Sequence, residues 1–176
     1  MAKNERITEN IIRKILAKKG YIEKNGVIVE EQKSVVAAIQ KCLSNASKTG
    51  KGGIGSPEFI ITSSKANDFV ILIECKASTA DHEHSSGAKS NPVKYAVDGV
   101  LHYAQHLAPS YNVIAIAASG QTQSNLKLST FIQPKGSSSR VLTNKAELPL
   151  DKILPFDEMV GLACYDPEIE KQRHQT

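Results

Sequence analysis

The chain has no apolar N-terminal segment of the kind that precedes a secretory cleavage site, and no apolar run approaching the roughly 18 residues of a membrane span. A soluble, cytoplasmic protein is expected. Its three cysteines, Cys42, Cys75 and Cys164, are odd in number and show neither CxxC nor Cys/His spacing, which argues against a disulfide framework or a zinc site. They read as buried thiols in a reducing compartment. There is no GxxxxGK[ST] phosphate loop, no internal repeat and no coiled-coil heptad. Strong charge is missing too: 22 Lys+Arg against 18 Asp+Glu leaves a net +4, compatible with a polyanionic partner but too small to demonstrate one.

What is there is ordinary globular composition over 176 residues, 40% hydrophobic and 23% charged, a one-domain length that can bury a sizeable core. The most informative stretch runs from Gly55 to Lys76, GSPEFIITSSKANDFVILIECK. Two apolar runs, 59–61 and 69–73, are bounded by Gly, Pro, Ser, Asn and Asp, which is a β-hairpin pattern. Folding it about a turn at Ser64 to Asp68 sets Thr62 opposite Val70, Ile60 opposite Leu72 and Glu58 opposite Glu74. Facing residues of paired strands have Cβ atoms about 4.5–5.5 Å apart, and Lys76 follows Glu74 by one strand period. Two acids and a lysine therefore gather at one end of the hairpin.

That combination suits hydrolysis assisted by a hard divalent cation, because Mg²⁺ prefers carboxylate oxygens together with water and substrate phosphate. Glu58 and Glu74 are the candidate metal ligands, and Lys76 the group that holds or helps deprotonate the attacking water and offsets charge building on phosphate. The same three residues also make an ordinary surface ion pair at a strand end, worth about 0–1 kcal/mol.

Pro57-Glu58, fifteen intervening residues and then Glu74-Cys75-Lys76 resemble the PD-(D/E)xK nuclease motif, with Glu in place of the usual first Asp. The series GxGSPEFII, DFVILIECKAS, YAVDGVLHYAQHL and NVIAIAASG also resembles the N-terminal nuclease module of Type I restriction subunits and of single-chain Type IIG restriction-modification enzymes. The resemblance covers about 5–120, with a weaker tail to about 165. It implies a restriction-endonuclease-like α/β fold, phosphodiester hydrolysis of double-stranded DNA with Mg²⁺ or Mn²⁺, and methyltransferase, helicase or specificity domains in the same polypeptide or complex. A transient dimer for double-strand cleavage fits the same picture. In other members of the superfamily a first-helix Glu ahead of a Gly-aromatic pair points at the metal; Glu9, ahead of Gly20-Tyr21, occupies that place, although an acid near a helix N-terminus is favoured by the macrodipole alone.

The rest of the chain places these residues. A helix is expected over about 4–19, with Ile7, Ile11, Ile12, Ile15 and Leu16 at helical spacing. After an extended piece at 21–29, a second helix is expected over 30–45, opened by Glu30, Glu31 and Gln32 and packed through Val35, Val36, Ile39 and Leu43. The segment SKTGKGGIGS, 47–56, combines four glycines with two lysines; it reads as a flexible connector or as backbone that a phosphate can approach, with Lys51 the candidate contact. Apolar residues on both faces of the hairpin require a sheet covered on both sides.

The loop at 78–91 carries Asp81, His82, Glu83 and His84, but no second ligand group accompanies its HxH, so it reads as a mobile polar loop able to lie over substrate, with Ser78 as a candidate contact. A strong amphipathic helix follows over 92–107, started by Pro92. Many relatives carry a Gln and, four residues on, a Tyr on this helix. Here the position four before Tyr103 is Gly99, which leaves Asp98, His102 and Tyr103 as candidates, with Asp98 and Tyr103 as substrate contacts. A buried strand at 111–119 joined through this helix implies a parallel crossover, and 126–132 alternates as an edge or antiparallel strand. Beyond Lys135 a short strand at 140–142, a helix at 156–165 and a polar tail at 166–176 are expected.

The expected architecture is a central mixed sheet of four or five strands flanked by helices. A nuclease domain over 1–155 precedes a short C-terminal helix and tail over 156–176 that lead toward absent downstream domains. Two other readings remain: a noncatalytic DNA-binding or docking module of the same fold, and a standalone repair or recombination nuclease.

Overall fold

Apolar residues on both faces of a strand oblige a sheet to be buried twice, and the computed structural model, which describes residues 4–136 and 152–164, shows both covers. Helix α1 (Glu5–Lys18) leads into strand β1 (Val27–Glu30) and helix α2 (Ala37–Leu43). Strands β2 (Phe59–Ser63) and β3 (Phe69–Lys76) form the hairpin, followed by helix α3 (Ala96–Leu107), strands β4 (Asn112–Ser119) and β5 (Lys127–Gln133), and helix α4 (Phe156–Cys164).

The sheet has five strands in the order β1-β2-β3-β4-β5 and is mixed. β3 and β4 run parallel, joined through α3, and the other pairs are antiparallel. The hairpin register has Phe59 opposite Ile73, Ile60 opposite Leu72 and Ile61 opposite Ile71. Ile60 opposite Leu72 is the register that the turn chemistry predicts.

Strand alternation divides the core in two. Ile60, Val70 and Leu72 pack with Ile39, Leu43, Val100 and Leu107 of α2 and α3. Phe59, Ile61, Ile71 and Ile73 pack with Ile12 and Leu16 of α1 and with Phe156 and Met159 of α4. Each such fully buried side chain contributes about 1.5–3 kcal/mol.

Several local expectations are corrected. Residues 27–30 form an edge strand on β2 and the second helix starts only at Ala37. Two features stop a helix from forming earlier: Gln32 turns left-handed at φ 65°, and the Glu30 carboxylate accepts from the Ser34 hydroxyl and the Val35 amide. On α1 the buried stripe is Thr8, Ile12 and Leu16, whereas Ile7 is 40% exposed.

The loop after β3 is pinned. The buried His82 ring lies between the hydroxyls of Ser119 (2.7 Å) and Ser129 (2.8 Å), and the His82 carbonyl accepts from the Val97 amide. Burial, and then Lys127, push the His82 pKa down to about 4. Of the cysteines only Cys75 is fully buried; Cys42 is half-buried and Cys164 exposed. The parallel crossover and the antiparallel edge strand stand as expected, α3 begins at Ala96 rather than Pro92, and α4 covers Phe156–Cys164. The expectations for 140–142, 165 and the tail fall outside the described residues. Among the described residues no helix is long and apolar enough to cross a membrane.

Candidate functional site

Continuing the hairpin one pair beyond Phe59 and Ile73 brings Glu58, just before β2, level with Glu74 near the end of β3. The Glu58 amide donates to Glu74 Oε1 at 3.0 Å. Pro57 removes one amide from this rim, and its carbonyl accepts from Gln32, which ties the entry to β2 against the turn after β1.

Helix α1 closes the site from one layer. The Thr8 hydroxyl, on its buried face, donates to the Gly120 carbonyl at 2.6 Å, with the Lys76 carbonyl 3.3 Å away. That contact docks the first turns of α1 over the C-terminal ends of β3 and β4. Glu5 and Glu9, one helical turn apart, are thereby held at the rim. Carboxylate oxygens of Glu5, Glu9 and Glu58 all lie within 4.8 Å of one another. Lys76 Nζ donates to Glu5 Oε1 at 3.2 Å, and Arg13 bridges Glu9 (3.3 Å) and the exposed Glu31.

From the other layer comes Lys48, whose ammonium donates to Glu74 Oε2 at 2.9 Å. Its backbone is fixed by α3. His102 Nε2 faces the carbonyls of Ala46 (3.0 Å) and Ser47 (3.1 Å), and the Tyr103 hydroxyl accepts from the Ser56 amide at 3.3 Å. Gly55 packs so closely on Ala46 and Tyr103 that an added Cβ would stand 2.8 Å from atoms of both.

Four carboxylates thus meet three cationic side chains on one rim, and the electrostatics record the crowding. Burial, then the Glu74 carboxylate, lift the Glu58 pKa to about 8; Lys48 pulls it down, while Glu9 and Glu5 add to the rise. Burial likewise raises the Glu74 pKa against the opposing pull of Lys48, the Glu58 amide and Lys76. Burial works to lower the Lys48 pKa, but Glu74, with Tyr103 and Glu58 adding to it, makes the net shift upward. A cluster of carboxylate oxygens suits a hard cation such as Mg²⁺ or Mn²⁺ and offers nothing to a soft one.

Each residue singled out from the sequence can be placed. Glu58, Glu74, Lys76 and Glu9 come together on the rim, with Glu74 tied to Lys48 rather than to the Glu5, Glu9, Glu58 trio. Lys51 is exposed further along the glycine-rich segment. Ser78 caps the short turn after β3, accepting from the Ala80 amide, and also lines a depression of about 300 Å³ with Ala77, Thr79, Gln121 and Asn125. Asp98 is buried, with its carboxylate on His84 Nδ1 (2.7 Å) and the Asn91 amide (2.8 Å), so it organises the loop before α3. The Tyr103 ring centroid is 5.9 Å from Lys48 Nζ.

Glu5 and Lys48 are the residues that sequence reasoning passed over. Glu5 is one turn before Glu9, a spacing visible in the sequence once Glu9 is given a role. Lys48 shares its basic, glycine-rich segment with Lys51, and only the anchoring by His102 and Tyr103 tells them apart.

No protein-family profile matches the chain, and no solved structure is similar at a significant level. Among curated proteins it is similar to the Type II restriction enzyme and methyltransferase RM.BcgI of Heyndrickxia coagulans, 32% identical over 131 residues, a match covering 68% of this chain and 19% of the relative. The chain spans about a fifth of the length of that protein. The similarity is distant and partial.

Proposed function

We propose that the chain is a metal-dependent DNA endonuclease module of the PD-(D/E)xK type, hydrolysing phosphodiester bonds as the cleavage part of a restriction-modification enzyme. The observation that carries this reading is the pairing of Glu58 with Glu74 across neighbouring strands, with Glu5 and Glu9 overhead and Lys76 two residues along. The similarity to part of RM.BcgI supports it independently, and a methyltransferase partner is proposed on the same ground.

Glu58 and Glu9, with Glu5 beside them and Glu74 once it is released, would hold the cation. A divalent ion there supplies Lewis-acid polarisation of phosphate and lowers the pKa of water. Lys76 orients the attacking water and offsets charge that develops on phosphate oxygens in the transition state. Thr8 keeps α1 in register so that the acids and the lysine share one space. Cys75, between Glu74 and Lys76, stays out of the chemistry: burial raises its thiol pKa well above the ordinary value and it packs into the core.

One observation favours a second reading, a noncatalytic DNA-binding or docking module. Both oxygens of Glu74 already have partners, Lys48 and the Glu58 amide. Incubating supercoiled plasmid with the purified chain and Mg²⁺ or Mn²⁺ separates the two. Nicked or linear product that disappears in Lys76→Ala, with at least about a hundredfold loss of rate, supports the nuclease. Metal-independent DNA binding with no cutting at any cation concentration supports the docking module.

A further inference from the structure

Lys48, which has no assigned role, is ion-paired with Glu74 at 2.9 Å. Glu74 is 1% exposed and Lys48 20%, so both groups have lost most of their water, and removing one partner leaves a buried charge uncompensated. The fold makes room for the pair at a cost. Gly99 sits inside α3, where glycine is about 1 kcal/mol less favourable than alanine. A Cβ added there would stand 2.9 Å from the Pro92 carbonyl, 3.3 Å from Glu74 Oε2 and 3.4 Å from Lys48 Cδ, so the glycine serves the approach of the preceding turn and of the pair alike. The backbone at 46–47 is clamped by His102, while Gly50, Gly52 and Gly53, just beyond Lys48, have left-handed φ values and are exposed. The root of the lysine is fixed; its side chain alone has somewhere to go.

On the nuclease reading, we infer that Lys48 is a built-in counter-ion for Glu74 that a divalent cation displaces, and that the freed ammonium then binds a phosphodiester of the DNA. A divalent ion on Glu74 Oε2 would stand within a few ångströms of an ammonium that donates to the same oxygen at 2.9 Å, and the repulsion between the two cations sets metal and Lys48 in competition for it. The displaced ammonium lies on a rim where Glu5 and Glu9 already face Lys76 and Arg13 and where Glu58 turns to the cation, so the anion left for it is the DNA backbone. Phosphate contact by Lys48 is therefore conditional on metal. Both cation and DNA are drawn in together, and the acids are protected from mutual repulsion while the site waits.

The test uses the whole chain with Mn²⁺ as the metal probe and a short fluorescein-labelled duplex with Ca²⁺ as a DNA probe under conditions chosen to slow cutting. Lys48→Met should bind Mn²⁺ at least about fivefold more tightly than wild type, the low end of ordinary coupling between sites. Lys48→Gln, which keeps a hydrogen-bond donor toward Glu74 but removes the charge, should also bind Mn²⁺ more tightly than wild type and carries the test if Lys48→Met does not fold, whereas Lys48→Arg, which keeps the pair, should bind no more tightly. Lys65→Met, in the exposed turn at the far end of the hairpin, controls for loss of a positive charge alone. For DNA, Lys48→Met should weaken binding only with Ca²⁺ present, reducing the slope of log affinity against log salt by about 0.9.

Equal Mn²⁺ affinity in wild type and Lys48→Met, or the same DNA loss with and without Ca²⁺, overturns the competition while leaving the nuclease reading intact. A wild-type chain that binds no Mn²⁺ overturns both.

Discussion

The hydroxyl of Thr8 reaches across to the carbonyl of Gly120 at 2.6 Å, a buried hydrogen bond between residues 112 positions apart in the chain. It is the polar member of an otherwise apolar stripe on α1, and it joins the helix that carries Glu5 and Glu9 to the strand ends that carry Glu74 and Lys76. Thr8→Val keeps the shape and deletes the donor. It should cost about 1–3 kcal/mol, because the Gly120 carbonyl loses its side-chain donor. Urea unfolding measures that loss, and Mn²⁺ titration should show weaker binding, since the acids of α1 lose their register. Unchanged Mn²⁺ affinity alongside the stability loss would separate the helix dock from the metal site.

Gly99 offers a second test of how tightly the site is built. Replacing a glycine inside a helix with alanine ordinarily stabilises by about 1 kcal/mol. Here the new Cβ would meet the Pro92 carbonyl at 2.9 Å as well as Glu74 and Lys48, and a backbone oxygen has little freedom to retreat. Gly99→Ala should therefore destabilise the chain, by about 1–3 kcal/mol as overpacking usually does. Thermal unfolding decides it, and a higher melting temperature would mean that the N-terminal turn of α3 yields freely.

Much of the architecture was legible because local and tertiary preferences agree along it. The turn residues at 64–68 and the apolar runs on either side fix one register, and that register alone brings Glu58 level with Glu74. The parallel crossover follows from a strand, a strongly periodic helix and another buried strand in succession. Where a contact distant in sequence overrides the local pattern, the reading fails. Val35 fits a helical stripe yet is 85% exposed, because β1 claims residues 27–30 and the chain must turn at Gln32 before α2 can start.

The site was legible to the same extent. Glu58 just before β2 and Glu74 and Lys76 on β3 announce themselves by spacing. The roles of Glu5 and Lys48 depend on where α1 docks and where α3 clamps the glycine-rich segment. His82 was invisible as an anchor for a similar reason: its partners Ser119 and Ser129 come from two later strands.

The raised Glu58 pKa makes the metal-free chain sensitive to pH in an unusual direction. Its carboxyl titrates at about 8 in the folded state against an ordinary 4.5, so the folded state binds more protons than the unfolded state between those values. The contribution of Glu58 to stability is fully present below about 4.5 and is lost as pH rises through about 8. Without divalent cations, the wild type should lose stability relative to Glu58→Gln as pH rises across this window, measured by urea unfolding at a series of pH values. Adding Mn²⁺ should cancel the loss and bind more tightly toward high pH, because a ligand carboxyl must be deprotonated. A stability difference independent of pH would mean that Glu58 ionises like an exposed carboxyl.

The last prediction concerns which acid fills the first position of the proposed nuclease motif, since Asp68 is the acid nearest before Glu74 and would restore the usual Asp. Asp68 is exposed at the opposite end of β3, where its backbone carbonyl accepts from the Asn112 amide at 2.7 Å and its carboxylate from the Asn112 side chain at 3.2 Å. Six residues of strand separate it from Glu74, roughly 20 Å at about 3.3 Å per residue, far outside the 2.0–2.6 Å ligand distances typical of one hard cation. Glu58, by contrast, has its amide on the Glu74 carboxylate and its own carboxylate within 4.8 Å of those of Glu5 and Glu9. Glu58→Ala should reduce plasmid cleavage at least about a hundredfold and weaken Mn²⁺ binding. Glu58→Asp should retain partial activity, because a shorter arm on the same strand position still points into the carboxylate cluster. Asp68→Asn should cut DNA at nearly the wild-type rate and lose only the strength of a side-chain hydrogen bond to Asn112. Cleavage that depends on Asp68 and survives Glu58→Ala would move the reacting centre to the other end of the hairpin, away from Lys76 and from the acids that α1 supplies.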